Sequence, residues 1–225
     1  MAATLQRAEL TWRDGVVPVS TRFDDPYFSL QGGLQETRHV FLAGNGLPGR
    51  FAPGFHIAEL GFGTGLNLMA ALIAWRQAGV AGPLRFTSFE AYPMTADQMD
   101  RALSAFPEAR AVADPLLAAW ARGARVLQLP DLELTVIEGP AQDTLPVWAG
   151  RADAWFLDGF SPARNPDLWS APLMAQVAAH TAPGGTLASY TAAGHVRRSL
   201  AAVGFAVDRV PGFGSKRHMT RGRLA

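Results

Sequence analysis

Residues 59–65 read Glu59-Leu60-Gly61-Phe62-Gly63-Thr64-Gly65, an acid followed by three glycines at every second position. The apolar stretch FHIAEL leads into it and LMAALIAW follows close behind. Glycine adopts backbone angles that other residues avoid, and it lets a ligand come close to the main chain. A strand that runs into such a turn and out into a helix builds a nucleotide-binding corner, with the helix N-terminus facing the ligand. The spacing is G-x-G-x-G. The third glycine therefore comes one residue early for the dinucleotide fingerprint, which disfavours a NAD-dependent oxidoreductase, and no Lys-Ser/Thr follows as a phosphate loop requires.

The rest of the chain alternates strand and helix patterns. AELTWRDGVVPVS reads as two short strands around an Asp14-Gly15 turn, and the segment from FDDPYF to GNGL as part loop, part helix. FHIAEL, LRFTSFE, LELTVIEG, ADAWFLDGF and TLASYT read as strands. Between them lie a helix closed by Gly79, one capped by Thr95, one over DPLLAAWARG, and one that ends at the Pro183-Gly184-Gly185 turn. GHVRRSLAAVG is a further helix and FAVDRVPGFGSKRHMTR a final strand pair. This order predicts an α/β protein with a Rossmann-like, doubly wound, mostly parallel sheet and an N-terminal β-hairpin extension. Residues 1–50 are expected as that extension, packed on a core domain of residues 51–225. Ligands of such sheets sit beyond the carboxyl ends of the strands, near the switch point. The glycine turn, Glu90 and Asp158 all fall there.

A chain of 225 residues, 48% hydrophobic and 17% charged, can bury a full α/β core. No apolar run is long enough for a bilayer, and the N-terminus lacks the basic-then-apolar pattern of a secretion signal, so a cytoplasmic address is expected. The absence of cysteine excludes disulfides, thiolate metal sites and cysteine nucleophiles. The five histidines show no ligand spacing, and no metal is expected. Net charge is +1 but unevenly spread: from His195 onward there are seven basic residues and one acid, against 13 basic and 18 acidic residues before it. Such a tail is either a polyanion-binding edge or a solvated surface.

Glu90 ends the second core strand, where a carboxylate can accept both hydroxyls of a ribose. Asp158 follows the apolar strand AWFL and enters a loop braced by Pro162 and Pro166. Phe160 is a flat surface suited to stacking on a base, whereas Trp169 reads as core. Tyr27 and Phe28 either close over the site or pack beneath it. Arg197 and Arg198, with Lys216 and Arg217, are the candidate phosphate contacts.

The acid-x-G-x-G-x-G turn resembles motif I of Rossmann-like S-adenosylmethionine methyltransferases. Together with SFEAYP, AWFLDGFSPARNPDLW, PGGTLASYTAAGHVRRSL and GFGSKRHM, it resembles the methyltransferase domain of the MnmC/MnmD family over residues 8–220. The loop LDGFSPARNP is the most specific element. The resemblance implies methyl transfer from S-adenosyl-L-methionine to the exocyclic amine of 5-aminomethyl-(2-thio)uridine at the tRNA wobble position. It implies donor contacts at Glu59, Gly61, Gly63, Thr64, Gly65, Asn67, Glu90, Gln142 and Asp158, with Asp158 catalytic. It implies contacts to the tRNA anticodon stem-loop at Tyr27, Phe160, Arg164, Arg197, Arg198, Lys216 and Arg217. Bifunctional members also carry a FAD-dependent oxidase domain, so a linked or separate oxidase is an expected partner. One departure stands out: the family usually has Gly-Asp where this chain has Gly139-Pro140, which leaves the adenine contact to Gln142, Asp143 or backbone carbonyls. Two other readings stay open: a methyltransferase for another amine, and a non-catalytic tRNA-binding module of the same fold. An alkylammonium has a pKa of about 10.4 and a carboxylate about 3.9, so proton transfer to Asp158 is uphill by roughly 6 units, about 8 to 9 kcal/mol. Asp158 is therefore expected to aim the neutral amine and stabilise the cationic product rather than act as a strong base.

Overall fold

The computed structural model describes residues 6–29 and 32–225; residues 30 and 31 of the segment read as loop and helix lie outside it. β1 (Leu10–Arg13) and β2 (Val17–Ser20) form the hairpin, and β3 (Asp25–Pro26) pairs with β2 to complete a small antiparallel sheet. α1 (Gly33–Thr37) runs straight into a π-helical turn over Arg38–Leu42 and a 3-10 turn over Ala43–Asn45. Leu34, Val40, Phe41 and Leu42 of this stretch are buried in the larger core. Asn45 pins it to the main sheet: its Nδ2 donates to the carbonyls of Phe41 and Trp155, and Thr186 Oγ1 donates to its Oδ1.

The alternating part follows as β4 (His56–Leu60), α2 (Leu66–Ala78), β5 (Leu84–Glu90), α3 (Ala96–Leu103), α4 (Pro107–Arg110), α5 (Asp114–Ala121), β6 (Val126–Leu129) and β7 (Leu132–Glu138). Then come α6 (Ala141–Thr144), β8 (Ala152–Leu157), a 3-10 turn over Pro166–Trp169, α7 (Ala171–Ala179), β9 (Thr181–Ser189), α8 (Gly194–Ala202), β10 (Phe205–Pro211) and β11 (His218–Leu224). One sheet runs in the order β10-β11-β9-β8-β4-β5-β7-β6. Its five central strands are parallel, with antiparallel strands at both edges. The order reverses direction between β4 and β8, and this is the switch point where α/β sheets bind ligands.

Central strands covered on both faces send alternate side chains to opposite cores. In β8, Ala154 and Phe156 enter one cluster, and Trp155 and Leu157 the other. α2 is buried along residues 66–75, as a helix apolar on all sides must be, and Gly79 ends it in the left-handed conformation (φ 65°). Thr95 forms a capping box with Gln98, worth about 1 kcal/mol.

Three features differ from the sequence expectation. β6 is an extra antiparallel edge strand. The strands β10 and β11 join the main sheet, with β11 between β9 and β10. The helix α7 stops at Ala179, and Pro183-Gly184-Gly185 lies inside β9 at an irregularity: Ala152 pairs with Thr181 but Ala154 with Thr186. That bulge absorbs the residues that read as a turn. Among the described residues no helix is long and apolar enough to cross a membrane.

Candidate active site

The ends of β4, β5 and β8 open into a cavity of about 640 Å³. Gly61 leaves β4 at φ +84°, and its N–H donates to Phe89 O. A Cβ here would lie 3.2 Å from Gly159 Cα, so the glycine turn and the loop after β8 touch backbone to backbone. The first turn of α2 begins at Leu66, which puts unsatisfied N–H groups and partial positive charge beside the cavity wall formed by Thr64, Leu66 and Asn67. Glu90 lines the cavity at the end of β5. Its carboxylate accepts from Gly63 N (2.9 Å) and Tyr92 N (2.7 Å), which leaves lone pairs for a vicinal diol. Burial raises the pKa of Glu90 and these N–H donors oppose the rise.

Asp158 ends β8. Its Oδ1 accepts from Gly159 N at 2.8 Å and its Oδ2 from Asn67 Nδ2 at 2.7 Å. Burial lifts its pKa to about 6, against the Asn67 and Gly159 hydrogen bonds and the charge of Lys216. Asn67 is fully committed: Nδ2 also donates to Glu59 Oε1 (2.9 Å), and Oδ1 accepts from Thr37 Oγ1 (2.9 Å). Glu59 in turn accepts from Ser88 Oγ at 2.7 Å. It is completely buried, and that burial pushes its pKa well above the usual carboxyl range.

An aromatic wall faces these acids. Phe23 stacks on Phe160 (centroids 4.7 Å), and Tyr27 and Tyr92 meet Phe160 and Phe23 edge-on. The residues around β3 supply Phe23 and Tyr27, and Asp25 Oδ2 ties them down by accepting from Ser161 N at 2.9 Å. A charged group completes the lining: Lys216 Nζ sits 2.6 Å from Glu36 Oε1 and 4.3 Å from the centroid of the Tyr190 ring.

Of the residues singled out in the sequence, Gly61, Gly63, Thr64, Asn67, Glu90, Asp158, Tyr27, Phe160 and Lys216 line this one cavity. Glu59 lies beneath it and reaches it through Asn67. Gly65 caps α2 at φ +79°, where an added Cβ would meet Leu116, Met99 and Phe62. Gln142 and Asp143 are exposed, outside the lining, while Ala141 is part of it. Arg164 is half-exposed and paired with Asp24 at 2.9 Å. Arg198 and Arg217 are exposed on the outer surface, and Arg197 is half-buried there. Trp169 is core, its Nε1 donating to Phe160 O. Phe23, Asp25, Glu36, Thr37, Tyr92 and Tyr190 also belong to the site or its support and were not singled out. Tyr190 directly follows β9, so the strand-end rule that found Glu90 and Asp158 applies to it as well.

The sequence profile of a family described as S-adenosyl-L-methionine-dependent methyltransferase matches residues 107–225, more than half of the chain. The chain belongs to that family. Its relatives sharpen the picture. This methyltransferase is 47% identical, over 92% of its length, to the tRNA 5-methylaminomethyl-2-thiouridine biosynthesis bifunctional protein MnmC of Caulobacter sp. (strain K31), of which it covers 37%. It is 43% identical, over 97% of its length, to the protein of that name from Stutzerimonas stutzeri (strain A1501), of which it covers 35%. The chain thus spans about a third of these relatives. The crystal structure of MnmC2 from Aquifex aeolicus superposes with a TM-score of 0.76 at 25% identity, over 98% of this methyltransferase and 71% of that chain. The residues present fit the donor: a glycine turn where a positive φ and an added Cβ 3.2 Å from Gly159 Cα disfavour a side chain at Gly61, a Glu90 carboxylate with lone pairs left for a vicinal diol, and a buried acid at the switch point.

Proposed function

We propose that this methyltransferase methylates the exocyclic amine of 5-aminomethyl-(2-thio)uridine at the tRNA wobble position. The observation that carries the reading is Asp158, a buried carboxyl aimed by two N–H donors into the same cavity as Glu90 and the glycine turn. The names of relatives at 43% and 47% identity support the substrate.

When bound, S-adenosyl-L-methionine supplies a sulfonium methyl, which an uncharged amine nitrogen takes up as the carbon–sulfur bond breaks. Gly61, Gly63, Thr64 and Glu90 hold the donor. Asp158 accepts a hydrogen bond from the neutral amine and orients its lone pair. With Asp158 near 6, full proton transfer to it stays uphill by roughly 4 units, about 6 kcal/mol. The carboxylate therefore positions the nucleophile and stabilises the ammonium product, and the proton leaves to water. Phe160 and Tyr27 offer faces for the uracil ring. Arg197, Arg209 and Arg217 gather around His218, whose pKa falls through desolvation and then these charges; they are the phosphate contacts. A cytoplasmic location and a FAD-dependent oxidase partner, linked or separate, go with this reading.

The test is transfer of labelled methyl to tRNA bearing 5-aminomethyl-2-thiouridine and to the same tRNA with plain uridine. Transfer only to the first is expected, with a loss of roughly 100-fold or more in Asp158→Ala. No transfer by the wild type overturns the reaction. Equal rates in Asp158→Ala overturn the role of the acid.

A further inference from the structure

Lys216 is the only lysine among 20 basic residues, and it is folded inward against the cavity rather than outward with Arg217. Its Nζ lies 2.6 Å from Glu36 Oε1 and 4.3 Å from the centroid of the Tyr190 ring. The Glu36 side chain is only 15% exposed, whereas Lys216 is 45% exposed. Tyr190 is pinned by its hydroxyl, which donates to Gly159 O at 2.8 Å, so its ring stands beside the Asp158-Gly159 turn. Burial keeps that phenol neutral, and an uncharged ring face attracts a cation. The structure therefore shows a primary alkylammonium seated on a carboxylate and an aromatic face in the cavity that holds Asp158.

The acceptor of the proposed reaction carries the same chemical group, a primary alkylamine that is mostly ammonium at neutral pH. We propose that Glu36 and Tyr190 form the seat for the substrate's protonated aminomethyl group, and that Lys216 fills this seat until the substrate displaces it. The inference rests on the amine-acceptor reading above. A long, half-exposed lysine in a water-screened pair is easily displaced, and its compact ammonium matches the shape of the incoming group where a planar guanidinium does not. The seat captures the amine as RNH₃⁺. One proton then passes to water, and the resulting RNH₂ is the nucleophile that Asp158 orients.

The experiment compares two tRNAs that differ only at the wobble uridine, 5-aminomethyl against 5-hydroxymethyl. Their affinities are measured with S-adenosylhomocysteine present for wild type, Glu36→Gln and Lys216→Met. Wild type is expected to prefer the aminomethyl tRNA about tenfold, as one ion pair plus a cation–π contact allows. Glu36→Gln should abolish the preference while hydroxymethyl affinity stays within about twofold, the control that the fold is intact. Lys216→Met should enlarge the preference, because the internal competitor is gone. An unchanged preference in either variant overturns the proposal. Methyl transfer by the wild type, scored on the same aminomethyl tRNA, reads the parent reaction separately. Transfer with a preference that ignores Glu36 removes the seat and leaves the reaction. A Glu36-dependent preference without transfer keeps the seat and removes the reaction.

Discussion

Asn67 Nδ2 lies 2.7 Å from Asp158 Oδ2, and the other hydrogen of the same amide goes to Glu59 Oε1 at 2.9 Å. Thr37 donates to the amide oxygen, which fixes the orientation in which both N–H groups face acids. One side chain thus aims the acid in the cavity and anchors it to a buried acid beneath.

The first prediction follows from this link. The Asn67 hydrogen bond favours the Asp158 carboxylate, which accepts from the amine more strongly than the neutral acid and alone can stabilise the cationic product by its charge. Wild-type activity should fall as pH drops through about 6. Asn67→Ala removes the larger of the two opposing hydrogen bonds, so burial is countered only by Gly159 N–H and the Lys216 charge and the acidic limb moves upward. The variant should lose far more activity at pH 6.5 than at pH 8.5, with a stability loss of roughly 1–3 kcal/mol. Single-turnover methyl transfer against pH measures this. An acidic limb that stays in place would show that Asn67 does not tune Asp158.

Glu59 gives a stability prediction with a definite sign. Its pKa is raised in the folded state, so the folded protein binds the proton more tightly than the unfolded chain does. Its stabilising contribution is complete below the ordinary carboxyl value, about 4.3, and is lost as pH climbs above that. Glu90 and Asp158 are shifted the same way and add to the trend. Glu59→Gln mimics the neutral acid, so thermal melts should show a shallower decline in stability from pH 4.5 to neutrality than wild type. Glu59→Ala leaves the Ser88 hydroxyl and one of the two Asn67 N–H groups without an acceptor and opens a cavity, a loss of roughly 2–4 kcal/mol. A Glu59→Gln curve parallel to wild type would mean that Glu59 is already ionised in the fold.

A third expectation concerns Gly61. Alanine there meets two obstacles at once: φ +84°, and a Cβ 3.2 Å from Gly159 Cα, a backbone atom that cannot swing aside. Gly79→Ala is the control, with φ +65° and nothing within 4 Å. Gly79→Ala should cost about 1 kcal/mol and leave donor binding alone. Gly61→Ala should cost about 1–3 kcal/mol and weaken S-adenosyl-L-methionine binding at least about tenfold, because it moves the turn that carries Asp158. Calorimetry on both variants decides. Equal donor affinity in the two would mean that the close approach has no role in the site.

Glu90 and Asp158 were legible in the sequence because each ends an apolar strand, and strand ends converge at a switch point. The glycine turn was legible because its spacing has one geometric use. Thr37 and Asn67 meet only because α1 packs on α2, and no local pattern records a contact between distant segments. Charge alone groups Lys216 with the arginines of the tail. The connection between β10 and β11 turns it inward, and side-chain direction in a loop has no periodicity to read. β6 is not legible because four residues with a half-exposed alternation carry little signal. The acid of the glycine motif was read as a donor contact, but a strand buried on both faces can point an acid into the core, and β4 does so at Glu59.

The last prediction belongs to the cationic surface. Arg197, Arg209 and Arg217 all act on His218, so their guanidinium groups share one patch, and none of them lines the cavity. Phosphate contacts release counterions, and each one lost should reduce the salt slope of binding by about one unit. Arg197→Ala combined with Arg217→Ala should therefore weaken tRNA binding at low salt and flatten the plot of log affinity against log salt by roughly two units. S-adenosyl-L-methionine affinity should not change, because Gly61, Gly63, Thr64 and Glu90, the proposed donor contacts, line the cavity and the three arginines do not. Filter binding over a range of potassium chloride, with calorimetry of the donor alongside, tests both halves. A slope equal to that of wild type would reduce this patch to a solvated surface and move the tRNA footprint to another face of the sheet.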